Sequence, residues 1–239
     1  RLTPRQQEKR KSVDWLLSNA SDDKLPKTYP LTRQQLADLE SKTSGKVVFP
    51  WSPGYEQDRQ EFDDLYPTYP IVIVYVANLD DIRECLKLAQ DAKLPLAVRS
   101  GGHSLAGYSV CEGVVVDMST LKSIFVDLQA QTLVIDPGVT FGDIYPQIEQ
   151  YNLHMPTGDC PTVSPAGFSM GGGYGMTSRQ FGMGCDNILE MAVMLADGSI
   201  VTANRKQNSD LFWAMRGGTG GNFGILLRTK YQLYPLQLI

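Results

Sequence analysis

The sequence predicts an α+β protein made of two subdomains, and three observations carry that prediction. A β-branched run, a helical repeat and a second apolar run follow one another between Ile71 and Arg99, which is the pattern of a β-α-β unit. Beyond Val114, short strand-like segments are separated by turns more often than by helices, as in a mostly antiparallel sheet with flanking helices. Clusters of glycine break the chain at 101–102, 158–184 and 217–221, where the backbone must turn tightly or lie close to something else. No repeating unit is visible.

Residues 1–44 are polar and charged, with a helical stretch near Gln34 to Ser41, and read as an N-terminal extension. Ordered structure is expected from Gly45-Lys-Val-Val-Phe49. The Pro- and Tyr-rich segment from Pro50 to Pro70 reads as irregular connection. Ile71 to Ala77 is a buried strand by its β-branched content. Asn78 is placed to cap the next helix, with Asp80 and Asp81 in a first turn where the helix dipole favours them. Ile82, Cys85, Leu86 and Ala89 form its apolar face. Leu94 to Arg99 is the following strand and runs straight into Ser100-Gly101-Gly102-His103-Ser104.

Strands are expected at Val114 to Met118 and Thr132 to Asp136, and a helix at Phe141 to Tyr151. Met191 to Leu195 and Ser199 to Thr202 read as a hairpin turning at Ala196-Asp197-Gly198. Asp210 to Arg216 is a short helix and Ile225 to Leu233 a closing strand. The break between subdomains is expected near 104–113, with the strands after Val114 feeding the larger one.

Composition narrows the function. A net charge of −4 offers no footprint for nucleic acid or an anionic membrane. The longest strongly apolar run, 71–77, is too short to span a bilayer. The cysteines, Cys85, Cys111, Cys160 and Cys185, are widely spaced and form no C-x-x-C pair, so neither a zinc site nor a disulfide framework is expected. With His103 and His154 as the two histidines, no metal site is expected. Asn19-Ala20-Ser21 is a glycosylation sequon, which tips an otherwise open localisation slightly toward secretion.

Three segments carry the chemistry. In Arg99 to Ser104, paired glycines let backbone N–H groups approach a phosphate, and Ser100 and Ser104 add donors. Taken alone, the loop reads as a diphosphate cradle or as a tight turn with a capping histidine, and the turn is favoured. Neither the Walker nor the Rossmann fingerprint is present. In the second segment, Gly158-Asp-Cys160 is followed by Gly171-Gly172-Gly173-Tyr174-Gly175, implying a bulky planar or charged ligand against the main chain. Cys160 is there either a buried inert thiol or a reactive, ligated one. The third segment, Asp210 to Gly224, is a helix ending in a glycine loop.

Taken together and in this order, the segments resemble the FAD-linked oxidase superfamily of vanillyl-alcohol oxidase and p-cresol methylhydroxylase. The narrower likeness is to the berberine bridge enzyme group, over roughly 45–238. Arg99 to Ser104 resembles its pyrophosphate loop and Gly158-Asp-Cys160 its G-x-C element. Gly171 to Gly175, with Arg179, Gly182, Asp186 and Asn187, resembles its second flavin-contacting segment. The resemblance implies a p-cresol methylhydroxylase-type FAD-binding domain over 45–239. Its FAD would be bonded covalently to His103 at the flavin 8α carbon and to Cys160 at C6. An imidazole nitrogen and a thiolate are apt nucleophiles for those positions. Double attachment raises the reduction potential in that family, favouring hydride removal from an alcohol or amine. Gly167 and Tyr108 are further cofactor contacts by this likeness, and Asp117 a lining residue. Tyr174 reads as a packing or cofactor contact. Val163 stands at the family's oxygen-access position and reads equally as a core valine.

The family's second domain normally supplies the substrate pocket and general base, and this sequence carries no counterpart of it, so no catalytic base is assigned. The expected partners are a small-molecule substrate, O2, and a substrate domain or second chain. The leading expectation is an oxidase acting on a carbohydrate or secondary-metabolite alcohol, or on an amine. A dehydrogenase with another electron acceptor and a catalytically silent flavin carrier are the alternatives. A nicotinamide enzyme is disfavoured by the missing fingerprint.

Overall fold

The computed structural model describes residues 29–63, 65 and 67–236. The sequon at Asn19 and most of the N-terminal extension lie outside the described residues. Two compact units meet in sequence between Met118 and Ser119.

The first unit opens earlier than the sequence suggests. Helix α1 (Arg33–Lys42) begins at a capping box in which Thr32 and Gln35 satisfy each other's backbone N–H groups. Leu31, Leu36 and Leu39 are buried, and the Tyr29 hydroxyl donates to Ile71 O at 2.7 Å. Spacing of the leucines three residues apart on one helical face makes α1 part of the core and not of a polar tail. Strand β1 (Lys46–Val48) and a single turn, α2 (Tyr55–Asp58), follow. Then come β2 (Val72–Tyr75), α3 (Leu79–Ala92), β3 (Leu96–Arg99) and β4 (Val114–Asp117).

Asn78 caps α3 as expected, accepting from the N–H groups of Asp80 and Asp81. The buried face of α3 is Ile82, Cys85, Leu88 and Ala89; Leu86 is only partly covered. Asp81 is fully buried and does more than serve the helix dipole. Its carboxylate accepts from the N–H groups of Ser44, Gly45 and Ala77, fastening the entry to β1 onto the end of β2.

The strand order in this sheet is β1-β2-β4-β3, with β2, β4 and β3 parallel and β1 antiparallel. This corrects the expected break. Val114 to Asp117 does not feed the second unit; it fills the gap between β2 and β3. Val114, Val115 and Val116 are inaccessible to solvent, as a central parallel strand covered on both faces must be. The chain therefore cannot leave the first unit at 104–113.

The second unit holds a five-stranded antiparallel sheet. Its strands are β5 (Ile124–Asp127), β6 (Thr132–Ile135), β8 (Ile188–Met194), β9 (Ile200–Asn204) and β10 (Ile225–Gln232), in the order β5-β6-β10-β8-β9. A short pair, β7 (Leu153–His154) with β11 (Tyr234–Pro235), lies apart from it. Helices α4 (Phe141–Glu149), α5 (Pro165–Met170), α6 (Ser178–Phe181) and α7 (Ser209–Ala214) complete the unit. Phe141, Ile144, Ile148, Met191, Val193, Phe212 and Tyr231 make up much of its core. The β8–β9 hairpin turns where the sequence predicts. Gly198 takes a left-handed φ of 79°, and the Asp197 carboxylate accepts from the backbone and hydroxyl of Ser199.

Candidate flavin site

Each unit carries one loop cluster of its own. In the first unit, Ser100 to Ser104 leaves the carboxyl end of β3. Gly102 adopts φ +67°, a conformation glycine reaches without steric penalty. Its carbonyl accepts from the Phe62 N–H at 2.9 Å. Downstream, the Ser104 hydroxyl accepts from Tyr108 N–H at 3.0 Å, so that side chain is engaged in shaping its own loop. The Tyr108 ring is exposed.

His103 stacks on the Phe62 ring, with centroids 4.3 Å apart and planes 26° from parallel. Desolvation holds its imidazole below the usual histidine range, favouring the neutral, nucleophilic form. Arg99 does not face outward with the loop. It is buried, and its Nε donates to Asp117 Oδ2 within a buried ion pair. Its Nη2 reaches the Tyr75 hydroxyl at 3.5 Å. Nη1 is buried without a hydrogen-bond partner among the described residues. Nearby, Glu61 accepts from the Ser109 hydroxyl at 2.6 Å, and burial pushes its carboxyl above the usual range. Arg99 thus underpins the glycine loop and keeps one donor unspent.

In the second unit, the loop from Gly158 to Val163 folds onto the start of α4. Phe141 N–H donates to Val163 O at 3.0 Å and Gly142 N–H to Pro161 O at 2.8 Å, so the loop itself satisfies donors that a helix start leaves open. Tyr145 adds a hydroxyl contact to Gly158 O at 3.2 Å. The Cys160 sulfur lies 3.2 Å from the Thr162 hydroxyl. That hydroxyl, followed by the Thr162 backbone N–H, draws the thiol below its ordinary range. Burial instead raises Cys111 and Cys185 and pushes Cys85 up to about 12. Cys85 is buried, whereas Cys160 is only partly covered and sits beside the Thr162 hydroxyl of its own loop. Val163 is partly buried and packs against the core.

The segment Gly171 to Gly175 lies against this loop. A Cβ on Gly175 would fall 1.9 Å from Thr157 O, and one on Gly173 would fall 2.5 Å from the Phe168 ring. Gly172 and Gly173 both have left-handed φ. These glycines are demanded by the protein's own packing. Gly167 and Gly171 are different, because both are exposed and no close contact would meet a side chain there. Tyr174 stands out into solvent, 71% exposed, beside Met176.

Asn187 is buried. Its Nδ2 donates to Phe181 O and Met183 O, and its Oδ1 accepts from the Tyr234 hydroxyl at 2.7 Å. It braces the 181–187 turn, with its amide N–H groups and one acceptor position of its oxygen already engaged. His154 supports the same region, through Thr177 at 2.9 Å and the Phe181 ring.

A family model described as an FAD binding domain matches residues 70–204. The chain belongs to this family. Within it, the chain falls among the berberine bridge enzyme-like FAD-linked oxidoreductases of the vanillyl-alcohol oxidase superfamily, with the p-cresol methylhydroxylase-type fold. It is 37% identical over 196 residues to the FAD-linked oxidoreductase YvdP of Bacillus subtilis (strain 168), covering 81% of this chain and 44% of that protein. It is 31% identical to (R)-6-hydroxynicotine oxidase of Paenarthrobacter nicotinovorans, covering 80% of this chain and 42% of the oxidase. The solved xylooligosaccharide oxidase from Myceliophthora thermophila C1 superposes with a TM-score of 0.77 at 30% identity, over 84% of this chain and 43% of that one. The chain spans less than half the length of these relatives.

The residues of this FAD-binding domain fit the cofactor's chemistry on three counts. A buried guanidinium beneath the first glycine loop has an unspent donor, as anion binding calls for. Exposed glycine backbone at Gly167 and Gly171 leaves room for a planar ring. His103 and Cys160 stand in these loops, and an imidazole and a thiol are side chains of the kind that can bond a flavin ring. Sequence reasoning missed Phe62, Glu61 and Tyr75. They lie in or beside the connector and β2, where no motif marks them and proximity to Arg99 or His103 is their whole signal.

Proposed function

We propose that this chain is the flavin-holding part of an oxidase whose FAD is bonded to both His103 and Cys160. When bound, FAD accepts a hydride from an alcohol or amine carbon and passes two electrons to O2, giving hydrogen peroxide. The chain's residues hold and orient it. The first glycine loop, braced from beneath by Arg99, receives the diphosphate, His103 and Cys160 fix the ring, and Gly167 and Gly171 leave it space. Substrates of the alcohol class, carbohydrate or secondary metabolite, come first on this reading and amines second. A substrate-binding part, on the same polypeptide or a second one, supplies the base.

The observation that carries this reading is the Cys160 thiol. Among the described cysteines it alone is drawn toward the thiolate, by a hydroxyl that its own loop supplies. The test is acid denaturation followed by intact mass and visible spectrum. Yellow colour retained on a polypeptide heavier by one FAD supports covalent binding. His103→Ala and Cys160→Ala should each retain one link, and the double variant should release free FAD. A wild-type polypeptide of bare mass under a yellow supernatant would defeat the covalent reading. Stopped-flow reoxidation by air separates an oxidase from a dehydrogenase of the same fold.

A further inference from the structure

Phe62 is an oddly placed aromatic residue. Its side chain is 68% exposed, so burial returns little of the stabilisation that a phenyl ring can give. Yet its backbone and ring are both committed. The N–H donates to Gly102 O at 2.9 Å, and the ring covers one face of His103. The residue before it, Glu61, ties to Ser109 at 2.6 Å on the far side of the loop. Residues 61–62 therefore grip the loop on both sides of His103. Stacking on the face restricts rotation of the imidazole without the Phe62 ring itself covering the edge. The lone pair of the unprotonated ring nitrogen lies in the ring plane, so a cover on the face does not block attack.

We propose that Phe62 is a positioning residue for flavin attachment, holding the His103 imidazole edge-on toward the flavin methyl carbon. The proposal rests on the reading of His103 as an attachment point. The bond formed is between an imidazole nitrogen and that carbon; the bonds broken are one N–H and one methyl C–H. Two protons and two electrons leave, and dissolved O2 takes them to become hydrogen peroxide. The ring of Phe62 contributes no atom to this change. It removes imidazole orientations from which the nitrogen cannot reach carbon, which is an orientation effect.

The test uses the full-length protein carrying Cys160→Ala, so that His103 is the sole point of attachment. Flavin-free protein is mixed with FAD in air, and intact mass follows covalent incorporation with time. Peptide mapping then locates the link. Fluorescence gives the affinity for FAD before bonding, and thermal unfolding reports folding. Phe62→Leu should keep the affinity and the melting temperature but slow incorporation at least about tenfold. Phe62→Tyr, which keeps the ring, should restore the parent rate. Incorporation at the parent rate in Phe62→Leu overturns the proposal. So does a slowing matched by an equal loss of affinity, because that is a structural role. If the parent gains no mass on the His103 peptide, the attachment reading fails first and this inference falls with it.

Discussion

Replacing Gly175 by alanine tests whether the packing of the Cys160 loop is understood. The added Cβ would lie 1.9 Å from Thr157 O and 2.9 Å from Thr157 C. Both are backbone atoms, so no side chain can swing aside. To reach 3.4 Å, where ordinary contact begins, the two segments must part by about 1.5 Å. Overpacking of this kind costs roughly 1–3 kcal/mol, and a clash with backbone belongs at the upper end, about 3 kcal/mol. For a chain of this size each kcal/mol moves the melting temperature by roughly 2–4 °C, giving a fall of about 6–12 °C. Gly167→Ala is the matched control. It sits in α5, exposed, with nothing within 4 Å of its Cβ. Relieving a helical glycine should stabilise the flavin-free protein by about 0.5–1 kcal/mol. The assay is thermal unfolding of both variants without flavin, followed by FAD incorporation in a His103→Ala background. Gly175→Ala should also slow attachment at Cys160, because Thr157 leads directly into Gly158-Asp-Cys160. A Gly175→Ala variant that melts within about 2 °C of wild type, or a Gly167→Ala variant that melts as low as it does, would refute the packing argument.

Three further outcomes are expected. Asp117→Ala strands the Arg99 guanidinium in a buried site and should cost about 3–5 kcal/mol in urea unfolding; an apolar replacement of both partners should recover most of it. Tyr234→Phe removes the donor to the buried Asn187 oxygen and should cost roughly 1–3 kcal/mol. A cost below experimental error would mean that Asn187 is not braced as described. In flavin-free protein, Cys160 should be the first cysteine alkylated as pH rises, since a lowered thiol pKa means that thiolate appears at lower pH, whereas Cys85 should stay unmodified until the protein unfolds. Peptide mapping after iodoacetamide at a series of pH values checks the order, and Cys111 or Cys185 reacting first would contradict the account of the Thr162 contact.

Much of the architecture was legible because it is encoded by near neighbours in sequence. The β-branched run of β2, the Asn78 cap, the apolar face of α3 and the Asp197-Gly198 turn each need only a few adjacent residues to be specified. The glycine clusters were legible for the same reason, and it was their resemblance, taken together and in order, to a known family that pointed to flavin before any tertiary contact was known. Strand β5 escaped notice because its one large aromatic, Phe125, faces solvent, so no buried alternation announces it. The core role of α1 was lost in a segment whose average character is polar.

What sequence alone determined, then, is the list of local elements and the reactive groups set in glycine loops. Tertiary structure decided who stands next to whom. It placed β4 between β2 and β3, moving the boundary between units to Met118. It turned Arg99 inward onto Asp117, engaged the amide of Asn187, and laid Phe62 on His103. The reason is physical: a period, a cap or a turn is paid for within a few residues, whereas a strand neighbour or a buried polar partner is chosen by packing between segments that only the folded chain brings together.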